Sequence, residues 1–351
     1  MPTLSSSARG TARAAARSAV AVAVAAGTAL ALAGPAAARP AAPEVTLASL
    51  GTGQYQSAYS ERNHVLWVTT AVGRAGDPSA LLKVDPRTLE IEAAYAVPAD
   101  DTGSPESVYG VAVDDEHNTL WTTNTRDNTV AVYSQRTGER LASLPDVGHA
   151  REVVVDAAHD TVWASGYSAG TLVAYDSRTY QEKKRITVEG SGPAGLAVDE
   201  RTGTLYAADL TGDRIIQVDR GSDTPTFIAT GDGPISLSLS KNGRTAYTAD
   251  QTGGDVSVVD LRKGTVTRTV QTGAGALSVA TDDRTGDVLV VNRTDATVSV
   301  VDPRKGTVKR TVTTGANPNH IEMADGTAYV VDKSGAGENG TDQVTRIRFR
   351  R

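Results

Sequence analysis

Along most of the chain, short runs of Val, Leu, Ile, Thr and Tyr alternate partly with polar residues, and clusters of Asp, Gly, Asn and Arg separate them. Short antiparallel strands joined by tight turns read this way. Residues 234–315 show it most plainly, where "PISLSLSKNGRTAYTADQTGGDVSVVDLRKGTVTRTVQTG" and "ALSVATDDRTGDVLVVNRTDATVSVVDPRKGTVKRTVTTG" are two copies of one meander of four strands. The second strand sets the register: "LWVTT" at Trp67, "LWTTN" at Trp121, "VWASG" at Trp163, "LYAAD" at Tyr206, "AYTAD" at Tyr247, "VLVVN" at Leu289 and "AYVVD" at Tyr329. After a first interval of 54 residues the spacings are 42, 43, 41, 42 and 40. The third strand keeps step, ending at Asp85, Ser134, Asp176, Asp219, Asp260 and Asp302.

A four-strand unit repeating about every 40–45 residues is one propeller blade, so the copies predict an all-β, seven-bladed β-propeller of four-stranded antiparallel blades. "VTLASLGTG" (45–53) lines up with the fourth-strand segments "VTRTVQTG" (266–273) and "VKRTVTTG" (308–315), while the last copy stops after three strands. The N-terminal strand is therefore expected to complete the last blade and close the ring, covering an otherwise exposed sheet edge. The repeats make residues 45–351 a single domain, although length alone would suggest two. The segments 71–80, 98–107 and 332–343 are rich in Gly, Pro, Asp and Ser and read as long loops sharing one end of the ring.

The aromatic-Val-Thr-Asn second strand, preceded by "GLAVD" (195–199) and followed by "VSVVDPRKG" (298–306), resembles the bacterial YVTN β-propeller repeat family. "GQYQSAYSERNHVLWVTT", "AREVVVDAAHDTVWASG" and "TDQVTRIRF" are similar to its exported YncE-type members. The resemblance implies the fold and names no ligand. In those relatives an Arg-Glu pair also opens this inner strand, which draws attention to Arg151 and Glu152.

Residues 1–38 change the picture. Arg9, Arg13 and Arg17 precede an Ala-rich apolar run and then "PAAA", the three parts of a secretory signal, with Ala38 expected as the last residue removed. The run is short and weakly apolar for a membrane span. Residues 39–44 read as a short tether. Losing three arginines and no acid takes the balance from 35 basic against 41 acidic residues to 32 against 41, a charge of −9. That disfavours a general phosphate-backbone binder without excluding a local basic patch. There is no cysteine, hence no disulfide and no lipid attachment through one.

The histidines divide into two groups. His64, His117 and His159 fall in first-to-second strand turns and read as turn residues. His149, in "VGHAREVVVD", and His320, in "GANPNHIEMA", lie where the chain enters an inner strand, at positions where other copies carry Gly, Pro or small residues. With Arg151, Glu152, Asn317, Asn319 and Tyr109 they form the candidate ligand-binding set at the funnel mouth; the bland alternative is an Arg151–Glu152 ion pair plugging the channel. Asp199, Asp260 and Asp302 recur as turn residues, and the Trp and Tyr of the second strand read as packing between blades.

No nucleophile elbow, phosphate loop or zinc-protease motif is present, and no catalytic residue, metal or cofactor is predicted. The leading expectation is a secreted, non-enzymatic, monomeric propeller that binds a protein, glycan or small-molecule ligand through its funnel face. Two alternatives stand beside it. A metal-dependent lactonase or lyase would use funnel Glu, Asn, Asp or His residues. Single-stranded nucleic-acid binding would need Tyr55, Tyr109 and Tyr167 beside Arg126, Arg151 and Arg293 on one face.

Overall fold

The computed structural model describes residues 42–71, 79–99, 103, 106–335 and 340–349. The expected signal segment, most of the tether and the central parts of the long loops (72–78, 100–102, 104–105 and 336–339) lie outside the described residues. Strand β1 (Glu44–Gly51) opens the chain. Blade 1 is β2–β5 (Gln54–Ser60, Val65–Thr70, Ala80–Val84, Ile91–Ala96) and blade 2 is β6–β9 (Val111–Asp114, Thr119–Asn124, Thr129–Ser134, Arg140–Leu144). Blade 3 is β10–β13 (Ala150–Asp156, Thr161–Gly166, Thr171–Asp176, Glu182–Thr187) and blade 4 is β14–β17 (Pro193–Asp199, Thr204–Asp209, Arg214–Val218, Thr226–Ala229). Blade 5 is β18–β21 (Pro234–Leu239, Thr245–Asp250, Asp255–Asp260, Thr265–Gln271) and blade 6 is β22–β25 (Ala276–Asp282, Asp287–Asn292, Thr297–Asp302, Thr307–Thr313). Blade 7 holds β26–β28 (Pro318–Ala324, Thr327–Asp332, Asp342–Arg348).

Seven separate four-stranded sheets result, the last in the order β1-β28-β27-β26. β1 runs antiparallel to β28 from Glu44↔Arg348 to Gly51↔Asp342, so the N-terminal strand completes the last blade as the repeat register requires. Its first residue, Glu44, belongs to the strand rather than to a tether. β26 packs on β2, and each inner strand packs on the next around the ring.

The alternation of each strand decides how blades stack. Second strands such as β3, β7, β11 and β15 are buried at every position, because both their faces meet a neighbouring blade. Outer strands such as β21 are exposed almost throughout. The register residue of each second strand enters the next blade: Trp67 meets Leu120 and Tyr133, Trp121 meets Val162 and Val173, and Trp163 meets Leu205 and Ile216. Tyr206 reaches Ala246, Tyr247 reaches Val288, Leu289 reaches Ala328, and Tyr329 reaches Leu66 and Leu82 across the closure. Burying each such side chain contributes roughly 1.5–3 kcal/mol, so the column read from the sequence is the glue between blades. The turn aspartates behave as expected: Asp260 accepts from the Arg262 and Lys263 N–H groups at 3.1 and 3.0 Å, and Asp302 from Arg304 and Lys305 at 3.1 and 3.0 Å.

Candidate functional site

The inner strands enclose a channel with a volume of about 710 Å³. In six blades the ladder between first and second strands shifts register near its start, as between Gln54 and Ser57 in β2 and between Pro318 and His320 in β26. Such bulges re-aim side chains near sites. Counting back from the second-strand aromatic residue, one channel-facing column holds Gln56, Gly110, Glu152, Gly195, Ser236, Ser278 and His320. Two residues further along, a second column holds small or aliphatic residues except Glu322 in blade 7.

Polar departures from the repeat meet in this channel. Gln56 Nε2 donates to Glu152 Oε2 at 3.0 Å, and the Val111 N–H donates to Gln56 Oε1 at 3.2 Å, which fixes the amide orientation. The contact spans blade 2, and Gly110 makes it possible: a Cβ there would lie 2.9 Å from the Arg151 carbonyl oxygen and 3.2 Å from Gln56 Oε1. On the other side of blade 1, across the closure, the Ser57 N–H donates to His320 Nδ1 at 3.4 Å and the Tyr59 N–H to Glu322 Oε1 at 3.2 Å. His320 is therefore a neutral acceptor at Nδ1, and burial pushes its pKa down to about 4. Burial pushes Glu152 up to about 7 against the Gln56 bond and the Arg151 charge; burial and then the Glu152 charge push Glu322 up to about 7. The channel thus carries two carboxyl groups poised to exchange protons near neutrality, although both keep some exposure to channel water.

One mouth of the channel has the opposite character. Tyr55 and Tyr109 stand edge to face with centroids 4.9 Å apart. Lys333, just after β27, places Nζ 4.5 Å from the Tyr55 ring centroid and 5.8 Å from that of Tyr109. Its pKa is lowered, first by burial and then by the Arg293 charge, with Arg126 adding to the effect and Asp342 opposing it. Arg293 NH1 donates to Asn319 Oδ1 at 2.6 Å, and Asn319 Nδ2 donates to the Tyr55 carbonyl at 2.7 Å, linking blades 6, 7 and 1. Further round, the Arg151 guanidinium lies 5.8 Å from the Tyr167 centroid, and the His149 ring lies 5.6 Å from it.

The residues singled out from the sequence therefore separate by depth. Arg151, Glu152, Asn319 and His320 line the one channel, and His320 lies within β26, on the channel wall, rather than in the connection before it. His149 (φ 53°) and Asn317 (φ 50°) are exposed turn residues on the rim, where the Asn317 carbonyl accepts from the Lys333 N–H at 3.1 Å. Tyr109 is buried behind Tyr55. Arg151 and Glu152 are not an ion-paired plug, since the carboxylate goes to Gln56 and the guanidinium to Tyr167. Gln56, Glu322 and Lys333 escaped the sequence reading; the first two stand out only when each inner strand is aligned column by column. His64, His117 and His159 sit in turns or in the helical turn Ala157–His159, as read. His117 nevertheless reaches the next blade, its Nε2 3.7 Å from Asp160 Oδ1, and with Glu116 these form the one close His/carboxylate triplet among the described residues. Arg178 bonds Asp160 at 3.0 Å and already supplies that triplet with positive charge.

Over 100 residues the chain is 30% identical to the uncharacterized protein YncE of Escherichia coli strain K12, and equally to that of Escherichia coli O157:H7. The chain is a seven-bladed propeller with a local stretch similar to YncE. The match covers 28% of this chain and 26% of each relative, so it spans about a quarter of the curated relatives' length. No family model matches the chain.

Proposed function

We propose that this propeller is an exported, non-enzymatic binding protein that takes an anionic ligand carrying flat rings at the mouth built by Tyr55, Tyr109, Lys333 and Arg293. The supporting observation is Lys333 held over both tyrosine rings beside Arg293 and Arg126, a cationic and aromatic sector on a chain of net charge −6. Positive charge at a low-dielectric rim draws an anion, and the part-exposed Tyr55 ring with cations beside it favours planar groups over bare phosphate.

Single-stranded nucleic acid is the second reading. It is supported by Tyr55 with Arg293 and Arg126 about Lys333, and by Arg151 beside Tyr167 further round the channel. Base stacking there would contribute about 1–3 kcal/mol per base, and each phosphate contact about 0.7 to the salt slope. The metal-dependent lactonase or lyase reading ranks lower, because His320 Nδ1, Glu322 Oε1 and Glu152 Oε2 already accept hydrogen bonds from the protein.

The test is fluorescence anisotropy with labelled oligothymidylate and, separately, with an aromatic carboxylate dye, across a salt series. The proposal expects salt-sensitive binding of at least one probe, weakened tenfold or more by Lys333→Ala combined with Arg293→Ala at unchanged Tm. Binding of the oligonucleotide singles out the nucleic-acid reading. No binding of either probe, or binding that the double variant leaves intact, overturns the assignment of the mouth.

A further inference from the structure

A second polar centre lies away from the channel, at the turn between the middle strands of blade 5. Asp250 ends β19 and Asp255 begins β20, directly opposite each other in register. Thr248 and Ser257, also paired in register, stand on the same face. That face looks toward blade 4, since the alternate residues Tyr247, Ala249, Val256 and Val258 pack on blade 6. Asp250 and Thr248 are 0% exposed and Asp255 is 7% exposed, which is no place for two free carboxylates.

The repeat supplies an internal comparison. In blade 4 the same register position pairs Asp209 with Arg214, whose Nε donates to Asp209 Oδ2 at 2.8 Å. In blade 6 it pairs Asn292 with Thr297, and Asn292 Nδ2 donates to Thr297 Oγ1 at 3.1 Å and Ser299 Oγ at 3.0 Å. One blade thus supplies a cation and the other removes the charge. Blade 5 does neither, for Asp255 stands where Arg214 stands and adds a second negative charge.

The bonds the pair does make leave oxygen atoms over. Ser257 Oγ donates to Asp250 Oδ2 at 2.6 Å and Gln271 Nε2 to Asp255 Oδ2 at 3.0 Å. Oδ1 of Asp250, Oδ1 of Asp255 and Oγ1 of Thr248 are buried without a well-aligned hydrogen bond, and the hydrogen-bonding groups acting on them besides Ser257 and Gln271 are one another. Gly231, in the connection from blade 4, lies against the pair, and a Cβ there would clash with the Asp250 carboxylate and come 3.1 Å from Ser257 Oγ. Burial raises the pKa of both aspartates, each acts on the other, and the nearby Asp232 charge raises Asp255 further. A single shared proton would still leave negative charge in a buried, acidic setting.

We propose that Asp250 and Asp255, with Thr248 beside them, bind one hard divalent cation of the calcium class, which takes in blade 5 the place that the Arg214 guanidinium takes in blade 4. Carboxylate and hydroxyl oxygens without nitrogen or sulfur donors suit such an ion. The ion braces the contact between blades 4 and 5, so it acts on stability and is independent of the ligand proposed for the channel mouth.

The experiment uses the full chain stripped with chelator, then titrated with calcium alone by calorimetry and followed by thermal melting. The proposal expects stoichiometric uptake and a Tm raised by several degrees. Asp255→Asn should fold, lose that uptake and lose the calcium response. Asp255→Arg should recreate the blade 4 pair and melt near the calcium-loaded protein without responding to calcium. Asp160→Asn controls for the Glu116, His117 and Asp160 triplet and should keep both uptake and response. Three results would overturn the site: calcium leaving the Tm of the intact protein unchanged, uptake persisting in Asp255→Asn, or uptake vanishing in Asp160→Asn. A higher Tm for Asp255→Asn with no calcium response in the parent would assign a shared proton instead.

Discussion

Removing β1 tests how the ring is held shut. The strand's exposure alternates, so Val45 and Leu47 are 39% and 47% exposed while Leu50 is 4% exposed and packs among Val68, Leu82, Val84 and Val344 at the junction of blades 7 and 1. Truncating a leucine in such a place costs about 2–5 kcal/mol. The ladder to β28 adds hydrogen bonds worth roughly 0.5–1.5 kcal/mol net each, largely offset by about 1–2 kcal/mol per residue for ordering the strand. Without β1 the edge of β28, with Val344 and Ile347 fully buried, faces water. The sum points to a loss of about 4–6 kcal/mol for deleting residues 44–50, about half of it reproduced by Leu50→Ala. At about 2 °C per kcal/mol for a domain of this size, the truncated protein should melt about 10 °C lower. Leu47→Ala should stay within about 0.5 kcal/mol, because its side chain points to solvent. Differential scanning calorimetry on the three variants decides it. A truncated protein melting within about two degrees of the intact one, or equal losses for Leu47→Ala and Leu50→Ala, would refute closure through this strand.

The channel carboxyls make stability depend on pH. Glu152 and Glu322 have folded pKa values raised to about 7, so the folded state holds protons that the unfolded chain has released, and stability falls as pH rises from about 4.5 through 7. His320, lowered to about 4, works in the opposite sense, withdrawing stability as pH falls below about 6.5. Replacing both glutamates with Gln should remove about 1–3 kcal/mol of the loss between pH 5 and pH 8, the figure being discounted for channel water. Urea unfolding curves at the two pH values that shift equally for parent and variant would contradict it. For export, protein recovered outside the cytoplasm should begin at Arg39 by N-terminal sequencing, and a chain still starting at Met1 would rule out cleavage after Ala38.

Blade number, strand order and closure were legible because a repeated unit writes its geometry locally. Period-2 runs fix each strand, Asp-containing turns fix each hairpin, and the aromatic column from Trp67 to Tyr329 repeats because every blade meets the next through the same face. The site was legible only in part. Arg151, Glu152, Asn319 and His320 stood out as departures from the repeat, and the structure places them around one channel. What each does depends on partners far away along the chain: Gln56 reaches Glu152 over Gly110, and Ser57 meets His320 across 263 residues. Lys333 sits on Tyr55 and Tyr109 only because closure brings blade 7 beside blade 1. Nothing in the sequence singles out Asp250 and Asp255, whose burial against blade 4 leaves both carboxylates without a counter-charge. Hydrophobic period and turn chemistry act over a few residues and so are written in the sequence, whereas burial, and the charge balance it demands, exist only once the blades have closed around these groups.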